Sequence, residues 1–458
     1  MFLTIFNGSL LVQSFLLMSG FLLAFNLLLV EEKVKLSWSK LPTWTMLRWM
    51  RYIKVPSRCE KIKLLKVETA TKYLTLTVPT IFYETLSQST RTCPVFFSRL
   101  TPPYAAVLAV VATWIRRFGN GPMWKSIIGE EADACRRDWY YQLLYVNDYV
   151  DPSKCMEHTW YIAVDMKLTI LGLVIFCLLR GWRARKIAIG VVIVVGVLTQ
   201  AAHIYFQDLN ATVLISPEDL RHYIVDDPTF TYLYKRTHTN LVCYAMGLAL
   251  GMWIYSLMNS NNNFNITKYK KYRYIYWSTV PAGWLLIICG GIFYIDGIQI
   301  PLVVRLLYSP VVKILFGIIF FIFTIGTVFK VESKQQPPFD TYRSVYRGLL
   351  EWRGWAVFGR VSYCAYLIHL SVIRYNVANH TTLLHSNFSL VLLTYFGQLV
   401  ATYILAFLCW MMIEAPFIQL VKVCFYPSPN EQKEDKETEK TLQFEDAHQK
   451  SADAEHQA

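Results

Sequence analysis

In the stretch "HTWYIAVDMK", His158 stands at the rim of an apolar segment and Asp165 lies seven residues deeper. Two turns of an α-helix, at 3.6 residues each, bring both side chains near one face, with Tyr161 beside His158. An imidazole and a carboxylate so placed could deprotonate a hydroxyl and hold the resulting charge. A carboxylate within a bilayer costs roughly 2.5–3.5 kcal/mol, so Asp165 must face a partner or a water-filled cavity. Lys167, two residues on, points elsewhere on the helix. Two roles stay open for Asp165: a general base or orienting carboxylate, and a structural counter-ion for a cation on another helix.

A second group occupies "FGRVSYCAYLIHLSVIRY", where Arg360, Tyr363, Tyr366 and His369 recur at helical spacing. His369 falls mid-span, where even a neutral imidazole needs a hydrogen-bond partner; catalysis and helix packing both satisfy that need. In "WMMIEAPFIQLVK", Glu414 precedes Pro416, whose ring leaves a backbone carbonyl without its helical donor. A structural ion pair between Glu414 and Arg360 is the preferred reading there, ahead of catalysis. Arg99, in "SRLTPPYAAV", stands where a span begins, before a first turn that tolerates Pro102 and Pro103. A fixed cation there suits a phosphate-bearing ligand such as coenzyme A, although anionic lipid headgroups are the default partner.

These residues have to be positioned by helices in lipid. Of the 458 residues, 54% are hydrophobic and 17% charged, against about 25% charged in soluble domains. The mean hydropathy is +0.31, and the apolar residues come in blocks of about twenty, the length that crosses a hydrocarbon core. The expected fold is an all-α, polytopic integral membrane helical bundle of about nine transmembrane helices, near 3–30, 101–117, 160–179, 187–206, 240–258, 275–295, 305–329, 355–375 and 390–413. Within it, 1–30 is the first span, 31–99 a basic loop, 100–425 the transmembrane core and 426–458 a charged, disordered tail.

The net charge of +13 does not point to nucleic acid, because the cations crowd into short connections. Cationic connections fall at every second position (31–99, 180–186, 259–274 and 330–353), which assigns them to the cytoplasm. The glycosylation sequons at Asn210, Asn379 and Asn387 then lie outside, whereas that at Asn265 lies inside and should stay unmodified. Cys135 and Cys155 share one outer loop, as a disulfide or as two free thiols. The spacing of the other cysteines suggests no metal site. A span that begins almost at Met1, with no small-residue cleavage site behind it, reads as an internal helix of a longer protein.

Taken together, "FLLMSGFLLAFNLL", "RLTPPYAAVLAV", "WYYQLLYVNDYV", "CMEHTWYIAVDMKL", "YAMGLALG", "GRVSYCAYLIHL" and "EAPFIQL" resemble the nose-resistant-to-fluoxetine-like branch of the membrane acyltransferase 3 family, of animal, insect type. The resemblance covers nearly the whole chain apart from the tail and a segment near 53–98, which looks inserted. It implies acyl transfer from an acyl-coenzyme A co-substrate to a lipid or a small hydroxyl-bearing acceptor, with no bound cofactor. The implied catalytic residues are His158, Asp165 and His369, with Arg99 and Arg360 toward the coenzyme. Relatives carry a preceding helix with a catalytic histidine, and beyond it a cysteine-bearing extracellular domain; neither is present here, so an inactive chain is also expected. Lys167 and Asn240 stand where relatives more often have glutamine and arginine. The reading of another class is a non-catalytic protein that carries or binds lipids or amphiphiles, its polar residues lining a permeation cavity. The expected location is the plasma membrane or the endoplasmic reticulum.

The assigned sidedness has a direct check. Enzymatic deglycosylation of the chain expressed in animal cells should increase its gel mobility, and the shift should shrink in Asn210→Gln and Asn387→Gln variants. A shift that depends on Asn265 would invert the topology.

Overall fold

A computed structural model describes residues 8–31, 100–150, 153–213, 226–259, 273–294, 300–328, 352, 354–381 and 387–425. Arg99, Asn265, the segment near 53–98 and the tail from 426 lie outside the described residues. The described chain is helical: α1 (Gly8–Glu31), α2 (Thr101–Thr113), α3 (Glu130–Leu143), α4 (Trp160–Leu178), α5 (Trp182–Gln207), α6 (Leu241–Asn259), α7 (Arg273–Cys289), α8 (Leu302–Val328), α9 (Gly354–Asn379), α10 (Phe388–Cys409) and α11 (Ala415–Phe425). Among the described residues eight helices are long and apolar enough to cross a membrane. The ninth expected span is shorter than the sequence suggests. α2 has 13 residues, about 20 Å of rise, and is followed by a single 3₁₀ turn at Ile115–Arg117. The chain is an all-α polytopic membrane protein.

α1 forms the centre of the larger half of the bundle, packed against α4, α6 and α8. Lipid supplies no hydrophobic drive between apolar helices, so close backbone approach and packing must hold them. The "GLALG" of α6 provides it. A methyl group at Gly247 would lie 2.0 Å from the Leu17 carbonyl oxygen, and one at Gly251 would lie 2.6 Å from that of Phe21. In return, a methyl at Gly20 on α1 would lie 2.3 Å from the Tyr244 carbonyl oxygen. Contacts advance together along both helices, so α1 and α6 run parallel. α4 runs the same way beside them, with Phe15 against Tyr161 and Ser19 against Asp165. At the far ends of these helices Arg185, fully buried, holds Glu31 through its two terminal guanidinium nitrogens at 2.7 and 2.8 Å and donates to the carbonyls of Leu179 and Phe176.

The smaller half joins α2, α3, α9 and α10, and α4 connects the two halves. Trp160, Val164 and Leu168 pack into the cluster around α1, whereas Ile162 and Ala163 pack with α2, α3 and α9. α5 and α10 present long apolar faces outward, as lipid-facing helices do. α10 begins at Asn387, whose side chain accepts the Leu390 N–H at 2.8 Å, and passes through a π-helical turn at Trp410–Glu414. The widened turn immediately precedes Ala415–Pro416, where a proline would otherwise collide with the preceding turn.

Gly247→Ala is expected to lower the unfolding midpoint in detergent, at an overpacking cost of about 1–3 kcal/mol. Gly190→Ala on α5, where a methyl meets nothing within 4 Å, should leave the midpoint unchanged or raise it.

Candidate functional site

The structure brings His158 and His369 together, with ring centroids 5.0 Å apart and planes at 76°. The first comes from the 3₁₀ turn Glu157–Thr159 that leads into α4, the second from the middle of α9. Each imidazole faces a backbone carbonyl: His158 Nε2 lies 3.2 Å from the Leu367 oxygen and His369 Nδ1 lies 2.7 Å from the Tyr366 oxygen. A carbonyl only accepts, so those nitrogens carry the protons and the opposite ring nitrogens, His158 Nδ1 and His369 Nε2, are left as acceptors. His158 Nδ1 is buried with no hydrogen-bond partner. Two imidazoles with one nitrogen each committed to a carbonyl and the other left as an acceptor form a site that can take a proton and later give it up.

The turn that presents His158 is strained and heavily braced. Met156, fully buried, has φ 41°, a left-handed conformation that costs a non-glycine residue about 1–3 kcal/mol. Next to it Cys155 is disulfide-bonded to Cys135 on α3, with Cα atoms 4.6 Å apart. A cross-link over a loop of this length stabilises by about 3 kcal/mol in the chain-entropy account. Gln142 donates to the Cys155 carbonyl at 2.8 Å and accepts from Tyr104 of α2 at 2.7 Å. Thr159 donates to the Met156 carbonyl at 2.7 Å. Tyr366 of α9 donates to the His158 carbonyl, and Tyr363 donates to the Leu100 carbonyl at 2.8 Å, which ties α9 to the start of α2.

Charge completes the bracing. Arg374, at the end of α9, meets Glu131 of α3 at 2.6 Å and Glu157 at 3.0 Å. Both carboxylates are almost fully buried, and the Glu131 carboxylate also lies against the Met156 backbone N–H. Burial pushes the Glu131 carboxyl above its usual range, and the Arg374 guanidinium beside it pulls the other way. One cation thus serves two acids that fix the elements on either side of the histidine turn.

The other sequence candidates take different places. His158 precedes α4 and turns toward α9, while Asp165 accepts the Ser19 hydroxyl of α1. Tyr161 stands between, with ring contacts to Phe15 and Tyr366 at 6.4 Å each. Lys167 reaches Asp148, a fully buried acid of the outer segment that also accepts from Thr237 at 2.6 Å. Glu414 is fully buried and accepts the Cys364 thiol at 3.4 Å, while Arg360 is exposed. Asn210 and Asn387 are exposed, and Asn379 is half-buried against the Gly119–Gly121 turn.

Arg374, Glu131 and Glu157 were missed because each is ordinary alone; only the fold reveals a triad. The signal for Arg374 was available, since it lies five residues past His369 in a span of few charges. Lys313, in the middle of α8, was also missed. It lines a cleft with Gln13 of α1 and donates to the Thr239 carbonyl at 3.2 Å. Among the described residues no group of three or more His, Cys, Asp or Glu is placed to hold a metal ion.

Fold and site together define a multi-pass helical membrane protein with a paired-imidazole centre braced by a disulfide-bonded helix. No family model matches the chain, and no solved structure matches it. It is similar to nose resistant to fluoxetine protein 6 of Caenorhabditis elegans, with 22% identity over 339 residues, 72% of this chain and 39% of that protein. The chain therefore spans about 39% of that relative's length. This similarity supports placing the chain in the nose-resistant-to-fluoxetine-like family.

Arg374→Ala should destabilise the fold by roughly 3–5 kcal/mol at pH 7.5, because it leaves buried carboxylates without their cation. A carboxyl whose folded-state pKa is raised binds its proton more tightly when folded, so stability returns as the pH falls toward the unfolded value of about 4.3. Thermal unfolding from pH 7.5 to 5 should show partial recovery in Arg374→Ala. A loss independent of pH would remove the carboxylates from the explanation.

Proposed function

We propose that the chain is a membrane acyltransferase-like protein that transfers an acyl group from acyl-coenzyme A to a lipid or small hydroxyl-bearing acceptor. The observation that carries the proposal is the pair of neutral imidazoles whose protons are committed to backbone carbonyls. Such a pair suits general base catalysis. His369 Nε2 takes the proton from the acceptor hydroxyl, and the oxygen attacks the thioester carbonyl carbon. The tetrahedral adduct collapses, the carbon–sulfur bond breaks, and the coenzyme leaves as a thiol after receiving that proton from the imidazolium. With its N–H on the Tyr366 carbonyl, His369 fits the base role better than polarisation of the thioester. His158 lies beside it as a second acceptor, suited to orienting the hydroxyl.

In this reading the donor would lie against α9. Arg360, Tyr363, Tyr366 and His369 follow one another down the helix, about 14 Å from the first to the last. A coenzyme phosphate held near Arg360 would leave its acyl arm to extend toward the histidines; Arg99, the other cation read toward the coenzyme, lies outside the described residues. Asp165, held by Ser19, takes a positioning role on α4 in this scheme. The family similarity supports the class of reaction; acceptor and acyl length are open to the assay.

A second reading, carriage or binding of an amphiphile without chemistry, draws on the Lys313 cleft. Labelled acyl-coenzyme A and a panel of hydroxyl acceptors, incubated with the purified chain, separate the two. Acyl transfer should fall about 10²–10⁴-fold in His369→Gln. Transfer at the wild-type rate in that variant, or none by the wild-type chain, would abandon the enzymatic reading in favour of the second.

A further inference from the structure

Lys313 lies eleven residues into α8, about 16 Å from its start, at a depth where α8 is packed against α1 and α6. Its side chain is only 9% exposed. Its ammonium donates to the Thr239 carbonyl at 3.2 Å, and among the described residues no carboxylate reaches it. An ammonium has three protons to place, and a buried cation without a counter-ion is unfavourable unless something completes it.

The cleft beside it holds further incomplete groups. Gln13 of α1 is 1% exposed, and its orientation is settled by its neighbours. Asn240 uses its own amide protons on the carbonyls of Tyr234 and Arg236, so its Oδ1 must accept, and Gln13 Nε2 donates to it at 2.8 Å. Gln13 Oε1 is thereby fixed as an acceptor, and it is buried with no partner. The Tyr308 hydroxyl, on the same wall, is likewise buried without a partner. Around these groups the lining is apolar, with Leu10, Leu233 and Val312 among it.

We infer that this cleft binds an amphiphile whose anionic head also carries a hydroxyl group. The ammonium of Lys313 and the hydroxyl of Tyr308 would meet the anion, Gln13 Oε1 would accept from the hydroxyl, and the apolar wall would take the start of the tail. A carboxylate or phosphate alone satisfies the first two groups and leaves Gln13 unmatched; a neutral head leaves Lys313 unmatched. The inference rests on the second reading given above for this cleft, shares no residue with the histidine pair and needs no turnover, so it can fail while acyl transfer stands, and the reverse.

The test uses the purified chain in nanodiscs of phosphatidylcholine and radiolabelled oleoyl lysophosphatidate as probe. Saturable binding is expected, weakened about tenfold or more in Lys313→Met and kept within about threefold in Lys313→Arg. Gln13→Leu should narrow the preference for lysophosphatidate over its deoxy analogue, which lacks the glycerol hydroxyl, while leaving the charge untouched. Oleoyl lysophosphatidylcholine and inorganic phosphate should each compete poorly. Wild-type affinity in Lys313→Met overturns the proposal. Competition by inorganic phosphate alone would reassign the cleft to a soluble anion, and equal competition by lysophosphatidylcholine would show that the head is not read; either overturns it too. Should Lys313→Met fail to fold, Gln13→Leu with the deoxy analogue decides: an unchanged preference refutes the assignment.

Discussion

The close contact between α1 and α6 is the constraint on which the arrangement rests. Two helices in lipid gain little from hiding apolar side chains, so their attraction grows only when backbones come near enough for dense packing. Gly20, Gly247 and Gly251 permit that approach, and their positions set the register between the helices. Register then decides the polar pairings. Gln13 meets Asn240 above the contact, and Ser19 meets Asp165 on the neighbouring helix. Had α1 been displaced by the width of a methyl group or two, several buried polar atoms would lose their partners at once.

The outer segment between α2 and α4 follows a different logic. Its sequence is polar, and it is stabilised much as a small soluble domain is: a disulfide, a buried ion triad, and hydrogen bonds to backbone carbonyls. These interactions converge on one turn, Cys155 to Thr159, and hold Met156 in a conformation the chain would otherwise avoid. Backbone strain of this kind persists where surrounding contacts over-determine it, and such places are often functional. Here the strained residue is two positions from one of the paired imidazoles.

Much of the fold was legible in the sequence because bilayer thickness and apolar run length are tied by simple geometry. The eight long spans follow from that, as does the cysteine pair, since only two cysteines share an outer loop. α2 was over-extended because hydropathy does not register where a helix stops; the chain leaves α-geometry at Trp114 although Trp114 and Ile115 are still apolar. The histidines were identified individually, yet their pairing was hidden, for it joins residues 158 and 369 across the bundle. Lys313 went unnoticed because "SPVVKILF" reads as one cation in an apolar run, and the significance of that cation depends on which neighbours fail to neutralise it.

The bond between Cys135 and Cys155 also gives the molecule a schedule. A cross-link of this kind forms only where oxidants reach it, and persists poorly among cytosolic thiols. The geometry of the histidine turn is therefore tied to the oxidation of these two thiols. Maturation of the centre is in this way subordinate to the redox environment its scaffold meets.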